Sequence, residues 1–237
     1  MKKFIAAALI AAVLFSVFFY QLTKRLEETE TFVPQAYSGH TLVIDAGHGG
    51  EDGGAVSVSG VSESRINLAI ARRLELIMGL YGVDTVLLRT EDISLHSEGA
   101  STLREKKISD LHNRVDRVNS IDNAVLISIH QNSYSDSQYR GAQVFFAPTD
   151  GSQAFGEYVQ EVLRVSLNPD NTRLAKQIPD TVYLMNHITC RAILVECGFL
   201  SNPEEDLLLQ TPAYQLKLAG ALCGAYLQYQ DSQQGVL

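Results

Sequence analysis

Short apolar runs rich in β-branched residues alternate along the chain with longer segments in which apolar residues recur at helical spacing. Such runs are typical of buried strands, and such spacing is typical of helices that pack on a sheet by one face. The runs predict strands at residues 41–46, 83–89, 124–129, 141–147, 182–185 and 191–197. The helical spacing predicts helices at residues 64–78, 109–119, 152–166 and 212 to about 228.

The alternation of strands with helices predicts an α/β fold, in which helices cover both faces of the sheet. The segment from Thr90 to Lys107 is polar and lacks apolar periodicity, which predicts a loop. A chain of 237 residues suits one domain of ordinary size with an appendage. We expect a catalytic domain at residues 40–230, a linker at 23–39 and a short tail at 231–237.

The amino terminus differs from the rest of the chain. Two lysines precede residues 4–20, which are apolar apart from Ser16 and the closing Tyr20. This length lies at the lower limit for spanning a bilayer and at the upper limit for the apolar part of a signal peptide. No convincing cleavage site follows, so residues 1–22 are predicted to be a membrane anchor, with a removed signal peptide as the alternative.

Charge and cysteine content narrow the possible functions. The net charge of −8 argues against a nucleic-acid partner, which normally meets a basic face. The three cysteines, Cys190, Cys197 and Cys223, match no metal-binding or redox spacing. We expect all three to be small apolar core residues.

Four residues with metal or acid–base chemistry occupy comparable places in the predicted fold. His48 follows the strand at 41–46, His130 ends the strand at 124–129, and Glu196 ends the strand at 191–197, while Glu63 precedes a helix. The carboxyl ends of neighbouring parallel strands share one crevice, where ligands of open α/β sheets bind. The four side chains are therefore expected to converge.

This set of residues suits a catalytic zinc site. Two imidazoles and one carboxylate can hold one Zn²⁺ and leave a fourth position for water, whose pKa falls to about 7 on the metal. We predict that His48, Glu63 and His130 bind the ion and that Glu196 moves the proton. Singly, either histidine could be a hydrogen-bonded residue, Glu63 a carboxylate favoured at a helix start, and the glycines around His48 only a tight turn. Glu196 is harder to explain in this way, because an acid that ends an apolar run needs a reason to be there.

The segments IDAGHGGEDGGA, SESRINLAIA, SIHQNS and ILVECGFLSN occur in this order. They resemble the zinc-dependent N-acetylmuramoyl-L-alanine amidases of the Amidase_3 type over residues 41–229. The resemblance implies a twisted, mixed and mostly parallel sheet, zinc ligation by His48, Glu63 and His130, and Glu196 as the catalytic acid/base. It also implies cleavage of the amide between N-acetylmuramic acid and L-alanine in peptidoglycan.

Within the family, the short build and the apolar amino terminus are most similar to the CwlD-type germination-specific amidases of spore formers. That similarity implies a role in spore cortex maturation towards muramic δ-lactam, export to the wall or cortex, and a possible lipoprotein-like partner. A vegetative autolysin or daughter-cell-separation amidase is the main alternative. The separation type is disfavoured because no long inhibitory helix is predicted before His130.

Further side chains are candidates for supporting roles. Asn132 either binds substrate or caps a turn, and Asp45 either orients His48 or caps its loop. Arg173, with Lys176 nearby, either meets an anionic stem peptide or lies in a solvated loop. The four other histidines, at positions 40, 96, 112 and 187, are expected to have no role in the site.

Two other classes of protein also fit these residues. A zinc peptidase or a carbohydrate deacetylase would use the same ligands, although the His-Glu-x-x-His pattern of common zinc proteases is absent from the sequence. A non-catalytic wall-binding module could lose any one of the four residues without loss of binding. All four are present, which favours an enzyme.

Overall fold

The computed structural model describes Phe15, Ser16, Tyr20 and residues 37–233, with side chains from residue 39 onward in the latter range. The predicted anchor at residues 1–22 and most of the predicted linker lie outside the described residues. In the part of the chain that is described, no helix combines the length and apolar character that a membrane crossing needs.

The described chain contains six strands and six helices, most of them near the predicted positions. The strands are β1 Tyr37–Ala46, β2 Val83–Leu87, β3 Ala124–Asn132, β4 Gln143–Phe146, β5 Lys176–Gln177 and β6 Arg191–Phe199. The helices are α1 Glu63–Leu80, α2 Leu103–Asn119, α3 Ser152–Leu167, α4 Tyr183–His187, α5 Pro203–Leu209 and α6 Pro212–Gln233.

The six strands form one mixed, mostly parallel sheet in the order β2-β1-β3-β6-β4-β5. β2, β1, β3 and β6 run parallel to one another, and β4 is antiparallel to β6. The expected fold class, a single α/β domain, is therefore confirmed. The three strands that carry candidate site residues, β1, β3 and β6, are direct neighbours.

Alternating side chains of these strands fill two apolar cores, one on each face of the sheet. Leu42, Ile44 and Ile127 pack in the larger core, beneath α1, α3 and α6. Val43 and Leu126, which point the other way because side chains alternate along a strand, pack beneath α2 and α4. The parallel strands are thus buried on both faces, as their continuous apolar runs predict.

Two sequence predictions were wrong. Residues 182–185, predicted as a strand, lie mostly in the short helix α4, where Leu184 and Met185 are buried. Short apolar runs do not distinguish strand from helix, and here the side chain of Asn186 closes the turn by donating to the carbonyls of Pro179 and Val182.

The predicted loop at 90–107 was also too long, because α2 begins at Leu103. Thr102 and Glu105 form a reciprocal capping box there, a sequence signal that the apolar pattern alone does not reveal. The two-residue strand β5 and helix α5 were not predicted. Helix α6 continues five residues beyond the expected end, to Gln233.

Candidate metal centre and active site

The carboxyl ends of three parallel strands bring the four predicted residues to one crevice. His48 lies two residues beyond the end of β1, and His130 is opposite Glu196 in the register of β3 and β6. Glu63 is the first residue of α1. The predicted convergence of these side chains is what the structure shows.

His48, Glu63 and His130 form the one group of metal-ligand type found among the described residues. One ligand atom of each lies within 4.8 Å of the other two. Nε2 of His48 is 3.3 Å from Oε2 of Glu63, and Nδ1 of His130 is 3.0 Å from Oε1. Tetrahedral zinc with bonds of about 2.1 Å separates its ligands by roughly 3.4 Å, so this donor set fits such an ion.

Two glycines allow this close approach. A Cβ atom at Gly47 would lie 2.2 Å from ring atoms of His130. A Cβ atom at Gly54, where φ is +69°, would lie 2.5 Å from Oε2 of Glu63. His48 itself has a φ of 62°, a left-handed conformation that few non-glycine residues adopt. The glycine-rich segment therefore shapes the metal group and does more than form a turn.

Glu63 is fixed by backbone and side-chain donors. The amides of Ala55 and Gln131 donate to its two oxygens at 3.0 and 3.1 Å, and Nδ2 of Asn67 donates to Oε1 at 3.2 Å. Burial acts to raise the pKa of Glu63, but His130 and His48 outweigh it and hold that pKa well below its usual range. The lowered pKa keeps Glu63 in the ionised form that a metal ligand requires.

His48 contacts a carboxylate on each side. Nδ1 of His48 lies 3.1 Å from Oδ2 of Asp52, while Nε2 faces Glu63. Burial lowers the pKa of His48, but the hydrogen bonds and negative charges of Asp52 and Glu63 raise it to about 9. The pocket therefore strongly favours a positive charge at this point, which either a proton or a metal ion can supply.

Glu196 stands beside the metal group with an unsatisfied oxygen. Its Oε2 atom is buried and has no hydrogen-bond partner in the described structure. Burial raises the pKa of Glu196 to about 7, against the opposing influence of His130. A carboxyl group with a pKa near neutrality can both accept and return a proton, which general acid–base catalysis requires.

Asp45 supports the backbone of the site. Its carboxylate is buried, accepts a hydrogen bond of 2.6 Å from Ser128 and is paired with Arg114. Arg114 in turn donates to the carbonyl of His48 at 2.8 Å. Asp45 therefore acts on the loop that carries His48, whereas the carboxylate that meets the His48 ring belongs to Asp52.

The two candidate substrate-binding residues lie near β6. The carbonyl of Asn132 accepts from the amide of Leu200 at 2.8 Å. The guanidinium of Arg173 lies 4.7 Å from the centre of the Phe199 ring and donates to Oε1 of Gln143 at 3.1 Å. Gln143 is opposite Glu196 in the sheet, so Arg173 is tied to the strand that pairs with the strand of Glu196. Lys176 lies in β5.

The remaining histidines and the cysteines stay outside the metal group. His40, His96 and His187 hydrogen-bond to nearby backbone or side-chain atoms, and His112 stacks on Tyr183. All three cysteines are free thiols, and Cys197 and Cys223 are buried. Burial raises the pKa of Cys197 strongly, in agreement with a core role.

Several contributors to the site were not predicted. Asn67 and Gln131 hydrogen-bond to each other at 3.2 Å beneath Glu63, and Arg89 donates to the carbonyls of Ala46 and Gly47. An available signal was the polarity of Asn67, which occupies the buried face of α1. Asp52 had a signal too, since it lies four residues after His48 in the glycine-rich motif.

The match to a protein family identifies an amide hydrolase of the cell wall. Residues 42–227 match the family model of the N-acetylmuramoyl-L-alanine amidases, Amidase_3, and the chain belongs to that family. It is therefore an N-acetylmuramoyl-L-alanine amidase that acts on peptidoglycan.

Relatives with known roles agree with this assignment. The chain is 36% identical over 193 residues to the germination-specific N-acetylmuramoyl-L-alanine amidase of Bacillus subtilis, an alignment that covers 81% of this chain and 80% of the relative. It is similar, with 35% identity and a TM-score of 0.78, to the CwlD amidase of Clostridioides difficile, solved in complex with the GerS lipoprotein. That comparison covers 82% of this chain and 100% of the other.

A second solved structure supports the fold. An N-acetylmuramoyl-L-alanine amidase from Clostridium difficile 630 superposes with a TM-score of 0.71 at 27% identity. The superposition covers 82% of this chain and 98% of the other.

Proposed function

We propose that the chain is a zinc-dependent amidase of the spore cortex that removes whole stem peptides from muramic acid. One observation carries the proposal. Ligand atoms of His48, Glu63 and His130 lie within 4.8 Å of one another, and Oε2 of Glu196 is buried beside them without a hydrogen-bond partner in the described structure. One Zn²⁺ per chain, bound by the three ligands, would polarise the scissile carbonyl and acidify a bound water.

Residues of the chain would carry out the remaining steps of the reaction. Glu196 takes the proton of the attacking water and delivers it to the leaving nitrogen of L-alanine, so that an amine and not an amide anion departs. Asn67 and Gln131 hold Glu63 in place, and Asp52 holds the ring of His48. Asn132 and Arg173 are proposed to contact the substrate on the side of Glu196.

The spore role rests on similarity to the germination-specific amidase of Bacillus subtilis and to the CwlD amidase. Removal of the stem peptide exposes the lactyl carboxyl group of muramic acid, which is the group that a muramic δ-lactam must contain. Between β2 and β3, the described chain holds a single helix, α2, and this helix packs on the sheet through Val115 and Val118. A separate inhibitory helix would need additional residues there.

The proposal also covers location and partner. Residues 1–22 would anchor the enzyme in the membrane, or direct its secretion if they are removed, with residues 23–39 as linker and 40–230 as catalytic domain. A lipoprotein-like partner would activate or place the enzyme, as the CwlD–GerS complex suggests by analogy.

Complementation tests this proposal. The full chain is expressed during sporulation in a Bacillus subtilis strain that lacks its own germination-specific amidase, and cortex muropeptides are analysed by mass spectrometry. We expect muramic δ-lactam to return with the natural chain and to stay absent with Glu196→Gln. Stem-peptide release from vegetative walls in the absence of cortex lactam would instead indicate an autolysin, and acetate release would indicate a deacetylase.

A further inference from the structure

Two clefts that share four lining residues, His48 among them, adjoin the metal group. The first, called here the reaction cleft, has a volume of about 200 Å³ and is lined by His48, His130 and Glu196 together with part of α2 and α4. The second, called the outer cleft, lies between the His48 loop and the first turns of α2. Lys107 lines both clefts, as do Asp52 and Asp110. A substrate chain that leaves the reaction cleft in this direction passes Lys107.

The reaction cleft has two permanently charged cations in its described lining, Arg114 and Lys107. Arg114 is buried, and its five N–H groups are used: two donate to Asp110, one to Asp45, and two to the carbonyls of Ala46 and His48. It has no donor left for a substrate.

Lys107 is in a different situation. Its side chain is 55% exposed, and its ammonium lies 3.2 Å from Oδ2 of Asp52. An ammonium group carries three donors, so this contact leaves capacity for a second anion. The same Oδ2 atom accepts from His48, which places the ammonium within two hydrogen-bond lengths of the metal group.

Accepting the amidase function above, we propose that Lys107 binds the free α-carboxylate of the D-glutamate residue, the second residue of the stem peptide. In peptidoglycan this residue is linked onward through its side-chain carboxyl, which leaves its α-carboxylate as the first negative charge after the scissile amide. The intervening L-alanine spans at most about 3.6 Å and the backbone of D-glutamate adds its own N–Cα–C bonds, so the carboxylate lies up to roughly 6 Å from the scissile nitrogen. Because both groups contact the same Oδ2 atom of Asp52, at 3.1 and 3.2 Å, the Lys107 ammonium is no more than about 6.3 Å from Nδ1 of His48, which is a comparable span.

The surrounding charges strengthen this assignment. Asp52 and Asp110 also line the reaction cleft, so a substrate carboxylate is repelled there except beside a cation. Arg173 lines neither cleft and is held by Gln143 and by the carbonyl of Arg140. Lys107 would therefore select stems with D-glutamate over stems in which that carboxylate is amidated to D-isoglutamine.

A binding experiment tests the assignment separately from turnover. The full chain with Glu196→Gln is loaded with zinc, and its affinity is measured for two glycan fragments that differ only in D-glutamate or D-isoglutamine. We expect the D-glutamate form to bind about tenfold more tightly, as a partly exposed, charge-assisted contact would give. Adding Lys107→Gln should make the two affinities equal, and Lys107→Arg should restore most of the difference.

Controls separate this contact from indirect effects. Lys106 is a matched control because it is the neighbouring lysine, is paired with Glu51 and does not line the reaction cleft. Lys106→Gln should leave the discrimination intact. If Lys107→Gln acted only by removing the ion pair with Asp52, it would weaken the binding of both fragments equally and leave the ratio of the two affinities unchanged. Equal binding of both fragments by the chain that retains Lys107 would overturn the assignment, whereas failure of both fragments to bind would contradict the amidase function itself.

Discussion

Nδ1 of His48 and Oδ2 of Asp52 lie 3.1 Å apart, at positions four residues distant in the same glycine-rich loop. A carboxylate that accepts from one ring nitrogen fixes the tautomer of a histidine and leaves the lone pair of the other nitrogen free for a metal. The other nitrogen, Nε2, faces Glu63. Asp52, which is not in the group of candidate ligands, would therefore prepare His48 to bind a metal ion.

Asp52→Asn should weaken zinc binding about ten- to a hundredfold, as loss of such a partner does in other zinc sites. Competition with a chelating dye measures this affinity directly. Glu51→Gln is the control, because Glu51 is adjacent and exposed and pairs with Lys106 outside the metal group. Equal zinc affinities for the two variants would show that the His48–Asp52 contact has no role in ligation.

Glu196→Gln should reduce the rate of amide hydrolysis by a factor of about 10² to 10⁴, because glutamine cannot take the proton of the attacking water. The zinc content should stay at that of the natural chain, since Glu196 is not among the three grouped ligands. Single-turnover rates on purified peptidoglycan and elemental analysis of the same sample provide the two readouts. A variant that kept nearly the natural turnover rate would show that Glu196 does not carry out the proton transfer.

Gly47→Ala should abolish zinc binding while the fold persists, because the new Cβ would lie 2.2 Å from the ring of His130 and displace it. Gly53→Ala is a matched control, since its Cβ would meet only Cβ of Ser62, at an ordinary 3.4 Å. Circular dichroism reports the fold and elemental analysis reports the metal. Retention of zinc by Gly47→Ala would mean that the His130 ring is not a ligand in this position.

The sequence predicted the main sheet and the four central side chains because both depend on strong local patterns. Continuous apolar runs marked β1, β3 and β6, and the rule that parallel strands share a carboxyl edge brought His48, His130 and Glu196 together. Neither step required knowledge of distant contacts. The resemblance to a known family added the roles of individual residues.

What escaped prediction depends on contacts between segments far apart in the chain. Arg114 is an unremarkable helix residue until α2 packs on the sheet and brings it to Asp45, 69 positions away. Likewise, Gln131 gains its role only where its amide meets Glu63. The five-residue helix α4 was mistaken for a strand because it is too short to show a helical period.

Asp45→Asn should destabilise the fold by about 3 kcal/mol at neutral pH, because Arg114 would lose one of its two buried carboxylate partners. Burial acts to raise the pKa of Asp45, but Arg114 and Ser128 outweigh it, and the pKa is lower in the folded chain. The stabilisation is therefore present above the unfolded-state pKa of about 3.9 and is lost as the pH falls through the folded-state value.

Urea denaturation from pH 7 into the acid range measures this effect. The difference in unfolding free energy between the natural chain and Asp45→Asn should be largest near neutrality and should shrink below about pH 4. A difference that stayed constant over this range would assign the effect of Asp45 to packing and not to its charge.

The position of the metal itself provides the most direct test of the account. Crystals of the zinc-loaded Glu196→Gln chain, measured at wavelengths on either side of the zinc absorption edge, reveal where the ion lies. We expect one anomalous peak per chain, within bonding distance of His48, Glu63 and His130 and next to position 196. A peak elsewhere, or a peak that one of these three side chains fails to reach, would contradict it.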